Sequence, residues 1–254
     1  YAIKPCKGLH VVVGYPRLTQ RGGRSRHMLQ PAASNAAAVL CEGEVVAHYD
    51  KWSLPNYQVF DERRYFEAGT EPCVFSVAGV RVGLLICEDA WVDGPAEASV
   101  ASGAELLVVI NASPFHMGKS IEREEVMSER VAKAGVPLLY AHLIGGQDDV
   151  VFEGRSFAMN ALGETQVRAP AFQECLPFWD YSSGAWQGEL TPIDSLLSDL
   201  WQTLVLGTRD YVTKNGFPSV VLGLSGGIDS ALVLAVAVDA LGPDRVRTVM
   251  MPSP

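Results

Sequence analysis

The sequence predicts an α/β protein. Along the first two thirds of the chain, short apolar runs typical of buried strands alternate with two helical stretches. Near the C-terminus a strand, a glycine-rich turn, a helix and a second strand follow one another, which is the order of a βαβ unit. At 254 residues, 48% of them hydrophobic, the chain has enough apolar surface for one large domain or two smaller ones.

Eight runs in the first two thirds are predicted as strands from their apolar or alternating patterns. Hairpin-like turns at Glu42-Gly43 and Ala78-Gly79 join two pairs of them. The strands are expected at residues 9–14, 35–40, 44–49, 74–77, 80–86, 105–110, 136–142 and 156–160. Helices are expected at 95–103 and 121–133, and the second is charged, periodic and followed by a Gly-Val-Pro stop.

A second unit is predicted in residues 194–254, after a linker at 177–193 that is rich in Pro, Gly, Ser and aromatic residues. Its first helix should span 194–215, with its N-cap region at Thr191-Pro192 and its stop at Asn215-Gly216. The βαβ unit should then comprise strand 219–224, helix 228–241 and strand 246–250.

Composition and charge exclude several function classes. Disorder is excluded for the bulk of the chain, because only 19% of residues are charged and hydrophobic residues are frequent. The longest apolar runs, such as 231–238, are far shorter than the roughly 18 residues of a membrane-spanning helix. A net charge of −9 argues against a nucleic-acid-binding surface. We therefore expect neither a membrane nor a nucleic acid as a partner.

The cysteines predict a reducing environment. Their number is odd and no two of them form a CxxC pair, so a zinc site or a disulfide framework is not expected. A cytoplasmic location fits this pattern. The five are Cys6, Cys41, Cys73, Cys87 and Cys175.

The strongest motif is Ser-Gly-Gly-Ile-Asp-Ser at 225–230, which joins a predicted strand to a predicted helix. The glycines let the backbone approach a ligand closely, and the free N–H groups of the helix start form an anion site. Asp229 could hold a metal ion that bridges phosphates. No GK[ST] follows, and GxGxxG is absent, so the motif is neither a Walker A loop nor a dinucleotide fingerprint.

A second candidate site centres on Cys87, which ends a predicted buried strand where the chain turns polar. Nucleophiles are often displayed at such strand ends, but the thiol would need an adjacent base or a lowered pKa. A lone cysteine there is more often a buried structural thiol. A dense polar and aromatic stretch that begins with Lys51 and runs through residue 66 weighs against that simpler interpretation.

Five segments together resemble a known family. Residues 51–66 read KxxLPNYxVFDExRYF, and 86–91, 111–115, 145–154 and 225–230 follow in the same order as in glutamine-dependent NAD synthetases. The first four resemble the nitrilase-superfamily glutaminase domain of those enzymes, and the fifth the pyrophosphate loop of N-type ATP pyrophosphatases. The resemblance implies a nitrilase-like α-β-β-α sandwich in 1–176 and the start of a Rossmann-like ATP pyrophosphatase domain in 194–254.

The resemblance also implies roles for residues of the first domain. Cys87 would attack the side-chain amide of glutamine, and Lys51 would stabilise the oxyanion. Glu62 matches a supporting carboxylate near the lysine, although it could instead form a surface ion pair with Arg63 or Arg64. Three further positions match glutamine contacts, namely Tyr57, Glu88 and Ser113.

In the second domain the resemblance implies that ATP adenylates deamido-NAD, which ammonia then attacks to give NAD, AMP and pyrophosphate. ATP and Mg²⁺ are the expected cofactors, with Asp229 as a metal ligand, and a homo-oligomer is expected. The expected pyrophosphate-binding residues are Ser225, Gly226, Gly227, Ile228, Asp229 and Ser230.

The resemblance is incomplete. The family's general-base glutamate has no match, since residues 1–35 contain no Glu or Asp, and we expect it to precede Tyr1. Contacts to adenine and deamido-NAD are expected after Pro254, so both ends are expected to be truncated. Two alternatives stay open, a plain carbon–nitrogen hydrolase with a vestigial ATP domain and a non-catalytic interaction module.

Overall fold

Alternating and apolar segments form most of the strands expected from the sequence. The computed structural model describes residues 7–18, 33–57 and 59–251. Its strands are β1 (His10–Leu18), β2 (Ala33–Cys41), β3 (Glu44–Asp50), β4 (Cys73–Val77), β5 (Val80–Ile86), β6 (Leu106–Asn111), β7 (Leu138–His142), β8 (Ile144–Gln147), β9 (Val150–Glu153), β10 (Phe157–Met159), β11 (Thr165–Arg168), β12 (Asp180–Ser182), β13 (Ala185–Gln187), β14 (Val220–Leu224) and β15 (Val246–Met250). Its α-helices are α1 (Glu62–Tyr65), α2 (Pro95–Ala101), α3 (Lys119–Ala134), α4 (Leu196–Lys214) and α5 (Ile228–Leu241).

Two sheets form the first unit. Strands β1, β2 and β3 pair antiparallel in chain order. The second sheet has the order β11-β10-β7-β6-β5-β4, in which β5, β6 and β7 are parallel and the outer pairs are antiparallel. Parallel strands need covered faces, and the nearly uninterrupted apolar runs of β5 and β6 meet that need.

The core lies between these sheets and extends to the helices on the far side of the six-stranded sheet. Val39 and Tyr49 from the small sheet share one buried cluster with Leu84 and Leu107 from the large one, and with Met127 of α3. Two sheet layers and a helix layer therefore pack around one core, as the predicted sandwich requires.

The parallel strands bring polar residues to one edge of the large sheet. Cys87 directly follows β5, Asn111 ends β6 and His142 ends β7. Asn111 pairs in register with His142, and Ile86 pairs with Ile110. This carboxyl-terminal edge is where ligands bind in parallel α/β sheets, so the fold places the candidate cysteine at a suitable position.

The segment predicted as a linker contains a β-hairpin. Strands β12 and β13 pair antiparallel, and Trp186 between them and the large sheet is buried. Its indole N–H donates to the Met159 carbonyl at 3.1 Å. Three-residue strands are too short to show a period, which is why the sequence pattern did not reveal them. The domain boundaries themselves stay a prediction.

The C-terminal unit follows the predicted βαβ order. Strands β14 and β15 are parallel and α5 connects them, with the predicted helix bounds. The predicted N-cap region of the preceding helix at Thr191-Pro192 was wrong, because Ser195 is the N-cap and its hydroxyl accepts from the Ser198 amide at 3.2 Å. Within the described ranges, no helix is both long enough and apolar enough to cross a bilayer.

Helix α4 packs directly on the hairpin β8–β9 of the first unit. The Gly146 amide donates to Asp210 Oδ2 at 2.7 Å, and Lys214 Nζ donates to the Gly146 carbonyl at 2.7 Å. A Cβ atom at Gly146 would lie 3.2 Å from the Gly207 Cα atom. Glycine at this position is therefore what lets the helix approach the strand so closely.

Candidate functional site

Cys87 sits on a strained turn at the edge of the large sheet. It starts a 3₁₀ turn, Cys87–Ala90, and its φ is +48°, a left-handed value that is unusual for a residue with a side chain. Strain of this kind persists only where the surroundings impose it, and a sharp strand-to-helix turn is how nucleophiles are displayed in α/β-hydrolases. The thiol is buried, with 8% of the residue exposed.

Two adjoining cavities meet at Cys87. The smaller, of about 190 Å³, brings Cys87 together with the three predicted glutamine contacts, Tyr57, Glu88 and Ser113. The larger, of about 580 Å³, is open toward β1 and is lined by Lys51 and Glu62. The other five residues predicted for the glutaminase site therefore lie around the Cys87 thiol, although the six together come from three separate segments of the chain.

Lys51 is a buried cation that Glu62 holds in place. Only 1% of Lys51 is exposed, and its Nζ lies 2.7 Å from Glu62 Oε1. The Asn35 side-chain amide donates to the other Glu62 oxygen at 3.4 Å. The alternative surface pairing is not what the structure has, since Arg64 pairs with Asp61 and the Arg63 guanidinium donates to a backbone carbonyl. A fixed positive charge beside the thiol results.

The Cys87 thiol is uncharged at neutral pH. Burial raises its pKa most, the positive charge of Lys51 lowers it, the carboxylates of Glu62 and Glu88 raise it, and the net pKa is about 11. Cysteine chemistry needs the thiolate, so a group that takes the proton during attack is required. Both nearby carboxylates already have partners, because Glu88 accepts from the Tyr57 hydroxyl at 3.0 and 3.1 Å. The general-base glutamate stays a prediction.

A buried ion pair supports the floor of the smaller cavity. Arg123 Nη1 lies 2.7 Å from Glu153 Oε1, and both side chains are almost completely buried. The Arg123 guanidinium also donates to Ser113 Oγ at 3.4 Å, and the Asn111 amide donates to the same oxygen at 3.1 Å. The sequence alone did not reveal this network, because its members lie up to 42 positions apart in the chain (111 to 153).

Lys119 is a site residue that the sequence analysis missed. It lines the smaller cavity at the start of α3, with its Nζ 4.0 Å from the centroid of the Trp91 ring and 3.2 Å from Glu122 Oε2. The same cavity is also lined by Glu88. It therefore has a positively charged group that could bind a carboxylate and a negatively charged group that could bind an ammonium. The only available signal was a lysine six residues after Ser113, which has no pattern of its own.

The phosphate-loop candidate has the conformation that its glycines predict. Gly226 has a φ of +87°, and nothing lies within 4 Å of the position of a Cβ atom there. Gly227 is the N-cap of α5 and has no side chain to accept from the first N–H groups of the helix. Ser230 Oγ donates to the Gly227 carbonyl at 2.9 Å, and Ser225 Oγ lies 3.4 Å from Ser230 Oγ. The first N–H groups of α5 and the two serine hydroxyls thus lie close together at one solvent-exposed turn.

Metal-binding capacity near this loop is small. Asp229 is exposed in the first turn of α5. In the part of the chain that the structure describes, no group of three or more His, Cys, Asp or Glu side chains could hold a metal ion. A cation at Asp229 would therefore need ligand oxygens from a bound phosphate, which is how Mg²⁺ is usually held in nucleotide sites.

Comparison with known proteins gives the family. Residues 5–180 match the carbon–nitrogen hydrolase family, which is more than half of the chain. The chain belongs to the carbon–nitrogen hydrolase family. Residues 200–254 match the model of a second family, NAD synthase. The chain therefore joins two family domains in the order that the sequence predicted.

Individual relatives agree with this assignment. A glutamine-dependent NAD(+) synthetase from Xylella fastidiosa is 44% identical over 97% of this chain, which spans 45% of that relative. The solved structure of such a synthetase from Acinetobacter baumannii, in complex with ADP, has a TM-score of 0.90 and 39% identity, covering 97% of this chain and 46% of that one. An amidase of the nitrilase superfamily from Nesterenkonia has a TM-score of 0.54 and 25% identity, over 64% of this chain and 58% of that one. The predicted nitrilase-like fold followed by the start of a synthase domain is confirmed.

Proposed function

We propose that the protein is an ATP-dependent carbon–nitrogen ligase that takes its nitrogen from glutamine and makes NAD from deamido-NAD. The observation that carries the proposal is the union, in one chain, of a buried Cys87–Lys51 site with a phosphate-type loop at the start of α5. A hydrolase alone has no use for the loop. Relatives named glutamine-dependent NAD(+) synthetases match along nearly the whole chain, which supports the same conclusion.

In the glutaminase site, Cys87 Sγ attacks the carbonyl carbon of the glutamine side-chain amide. The thiol proton passes to the general base and from there to the leaving nitrogen, so ammonia departs and a thioester to Cys87 forms. Negative charge develops on the carbonyl oxygen, where the buried ammonium of Lys51 stabilises it more strongly than water would. Glu62 holds Lys51 in position. Water then hydrolyses the thioester to glutamate.

The smaller cavity orients glutamine. Lys119 supplies a positive charge for the α-carboxylate, and Glu88 supplies a negative charge for the α-ammonium. The Tyr57 hydroxyl fixes Glu88, and Ser113 offers a hydroxyl from the opposite wall. A substrate held at both of its charged groups has only one way to present its side-chain amide to the thiol.

At the second site, the N–H groups at the start of α5 and the hydroxyls of Ser225 and Ser230 bind the phosphates of ATP. The carboxylate of deamido-NAD attacks the α-phosphorus, pyrophosphate leaves, and an acyl-adenylate forms. Ammonia attacks the acyl carbon and AMP leaves. Asp229 would hold Mg²⁺ together with phosphate oxygens, and that ion would neutralise charge on the leaving pyrophosphate.

Pyrophosphate release from ATP tests the proposal. The intact protein, given ATP, Mg²⁺ and deamido-NAD, should release pyrophosphate and form NAD with either glutamine or ammonium as the nitrogen source. The Cys87→Ala variant should lose the reaction with glutamine and keep the reaction with ammonium, because only the first requires the thiol. Absence of pyrophosphate release with every nitrogen source would refute the ligase.

A plain carbon–nitrogen hydrolase is the second candidate, favoured by the family match over 5–180 alone. It predicts that glutamine is hydrolysed with no dependence on ATP and that no pyrophosphate appears.

We also propose a reducing, cytoplasmic environment for the protein. The free thiols among the described residues support this proposal, and they are Cys41, Cys73, Cys87 and Cys175. Assembly into a homo-oligomer stays a prediction.

A further inference from the structure

Asp89 is a buried carboxylate that lines none of the cavities around Cys87. None of its surface is exposed. Its Oδ2 accepts from the Tyr49 hydroxyl at 2.8 Å and from the Ile86 amide at 3.3 Å, and its Oδ1 accepts from the amides of Ser53 at 2.7 Å and Trp52 at 3.2 Å. Burying a carboxylate is costly unless hydrogen bonds compensate for the lost water, and these four donors do so.

These bonds connect the two segments that carry the reacting pair. Trp52 and Ser53 are the two residues directly after Lys51, and Ile86 is the residue directly before Cys87. One rigid side chain therefore bonds the backbone on both sides of the site, across a separation of more than thirty residues in the chain.

The bond to Ile86 also spans the strained turn. It joins residue 86 to residue 89 and so closes a loop around Cys87, whose φ is +48°. A left-handed residue with a side chain needs surroundings that over-determine its conformation. The Asp89 carboxylate is such a constraint, and it holds the thiol where the strand ends.

We propose that Asp89 is a positioning residue that fixes the Lys51 ammonium relative to the Cys87 thiol. The proposal rests on the proposed function for the meaning of that pair, but the placement itself is testable without glutamine or ATP. If Asp89 acts through Lys51, loss of the Asp89 carboxylate should weaken the effect of the Lys51 charge on the alkylation rate of the Cys87 thiol. A carboxylate that only stabilised the fold would lower stability and leave that influence unchanged.

The Asp89→Asn variant changes the hydrogen bonding and preserves the shape. An amide has one acceptor oxygen, so its NH₂ group must face N–H donors that previously had a carboxylate oxygen. The segment after Lys51 or the turn before Cys87 must then move. Because the Lys51 charge favours the thiolate, we expect the alkylation of Cys87 to become about tenfold slower, which corresponds to one pKa unit.

The experiment measures alkylation of Cys87 by iodoacetamide, resolved by peptide mass spectrometry because other free cysteines are present. Four proteins are compared at one pH near 8.5: wild type, Asp89→Asn, Lys51→Met and the double variant. The expected result is that both single variants react more slowly and that the double variant reacts no more slowly than Lys51→Met. Multiplication of the two effects in the double variant would overturn the proposal.

Two controls separate placement from stability. Tyr49→Phe removes one donor and keeps all three amide bonds, so Cys87 should react as in wild type. Asp199→Asn disrupts another buried carboxylate, whose Oδ2 lies 2.8 Å from Arg155 Nη1 and which does not line the cavities around the thiol. This variant should lower stability without changing the alkylation of Cys87. If circular dichroism shows that Asp89→Asn does not fold, Asp89→Glu, which keeps the charge but lengthens the side chain, replaces it. Wild-type alkylation in a folded Asp89 variant would also overturn the proposal.

Discussion

The Cys87 side chain illustrates how neighbouring residues determine the reactivity of a single thiol. Its burial favours an inert thiol, since burial is the largest of the causes that together raise the pKa to about 11. The Lys51 charge lowers the pKa of the thiol, against the effect of burial. However, Glu62 Oε1 lies 2.7 Å from Lys51 Nζ and offsets part of that charge. The lysine therefore contributes more to the oxyanion that forms during attack than to the resting thiol, because the new charge arises where Lys51 is already placed.

Removal of the Lys119 charge should impair glutamine binding more than the chemistry. In Lys119→Ala the KM for glutamine should rise by about ten- to a hundredfold, since a charge-assisted hydrogen bond contributes roughly 1.5–3 kcal/mol, and kcat should change little. Steady-state glutaminase assays measure both constants. Lys133→Ala is the matched control, because that lysine lies on the same helix and pairs with Asp93 on the exposed surface. An unchanged KM in Lys119→Ala would contradict the assigned role.

His142 should make the stability of the protein depend on pH. Burial and then the positive charge of Arg123 lower its pKa to about 4, although Glu153 and two backbone carbonyls raise it. The neutral ring can donate only one hydrogen bond, and the 2.8 Å contact to the Gly154 carbonyl is the shorter of the two. In the unfolded chain the ring takes a proton near pH 6.5, so stability present above that pH falls as the pH drops toward 4.

The corresponding measurement is urea unfolding at pH 7 and pH 5. Wild type should lose about 2 kcal/mol more unfolding free energy between these pH values than His142→Gln, which cannot take up the proton. Glu153 is present in both proteins, and the two largest causes that act on its pKa, burial and the Arg123 charge, are the same in both. Equal losses in the two proteins would show that the histidine is not held neutral by the fold.

The sequence indicated the residues that line the candidate thiol site better than the residues whose hydrogen bonds support that site. Cys87, Lys51 and Glu62 belong to short motifs whose spacing is visible in one line of text. Asp89 and Arg123 act through partners that are distant in the chain, and their own neighbours give no sign of those partners. The structure therefore added mainly the supporting hydrogen bonds, which depend on tertiary packing and not on local pattern.

At the scale of elements, the hydrophobic periodicity and the turn residues of the sequence predicted the long strands and helices well. The bounds of β5, α5 and β15 agree with the sequence prediction because apolar runs between clear glycine turns define them. The strands β8, β9, β11, β12 and β13 were missed, as they have three or four residues each and contain glycine or polar residues. Helix α1 was also missed, since a single turn cannot show a helical period.

The contact between α4 and the hairpin β8–β9 should contribute measurably to stability. Asp210→Ala removes the acceptor of the buried Gly146 amide, and an unpaired buried donor costs about 1–3 kcal/mol. Urea unfolding should show a loss of that size. Thr213→Ala is the control, because this exposed hydroxyl bonds only to carbonyls of its own helix. A loss no larger than in the control would mean that the hydrogen bond to Asp210 does not contribute to holding the hairpin.

At the scale of the whole molecule, the chain combines two chemically different sites on two folds. The thiol site is buried and built from side chains, whereas the phosphate loop is exposed and built largely from backbone N–H groups. This division explains how a protein of net charge −9 can have a site for polyphosphate, since the attraction is local and needs no basic surface. The two sites should therefore respond separately to substitution.

Asp229→Ala should abolish NAD synthesis with glutamine and with ammonium alike, because both routes require the adenylate that forms at the phosphate loop. The same variant should still have a reactive Cys87 thiol in its glutaminase site. Mass spectrometry can verify this by detecting a trapped adduct at Cys87. Ser198→Ala is the matched control, since that half-buried serine belongs to α4 and not to the loop. Ammonium-dependent turnover at the wild-type rate in Asp229→Ala would refute the metal role, and loss of the Cys87 adduct would refute the separation of the two sites.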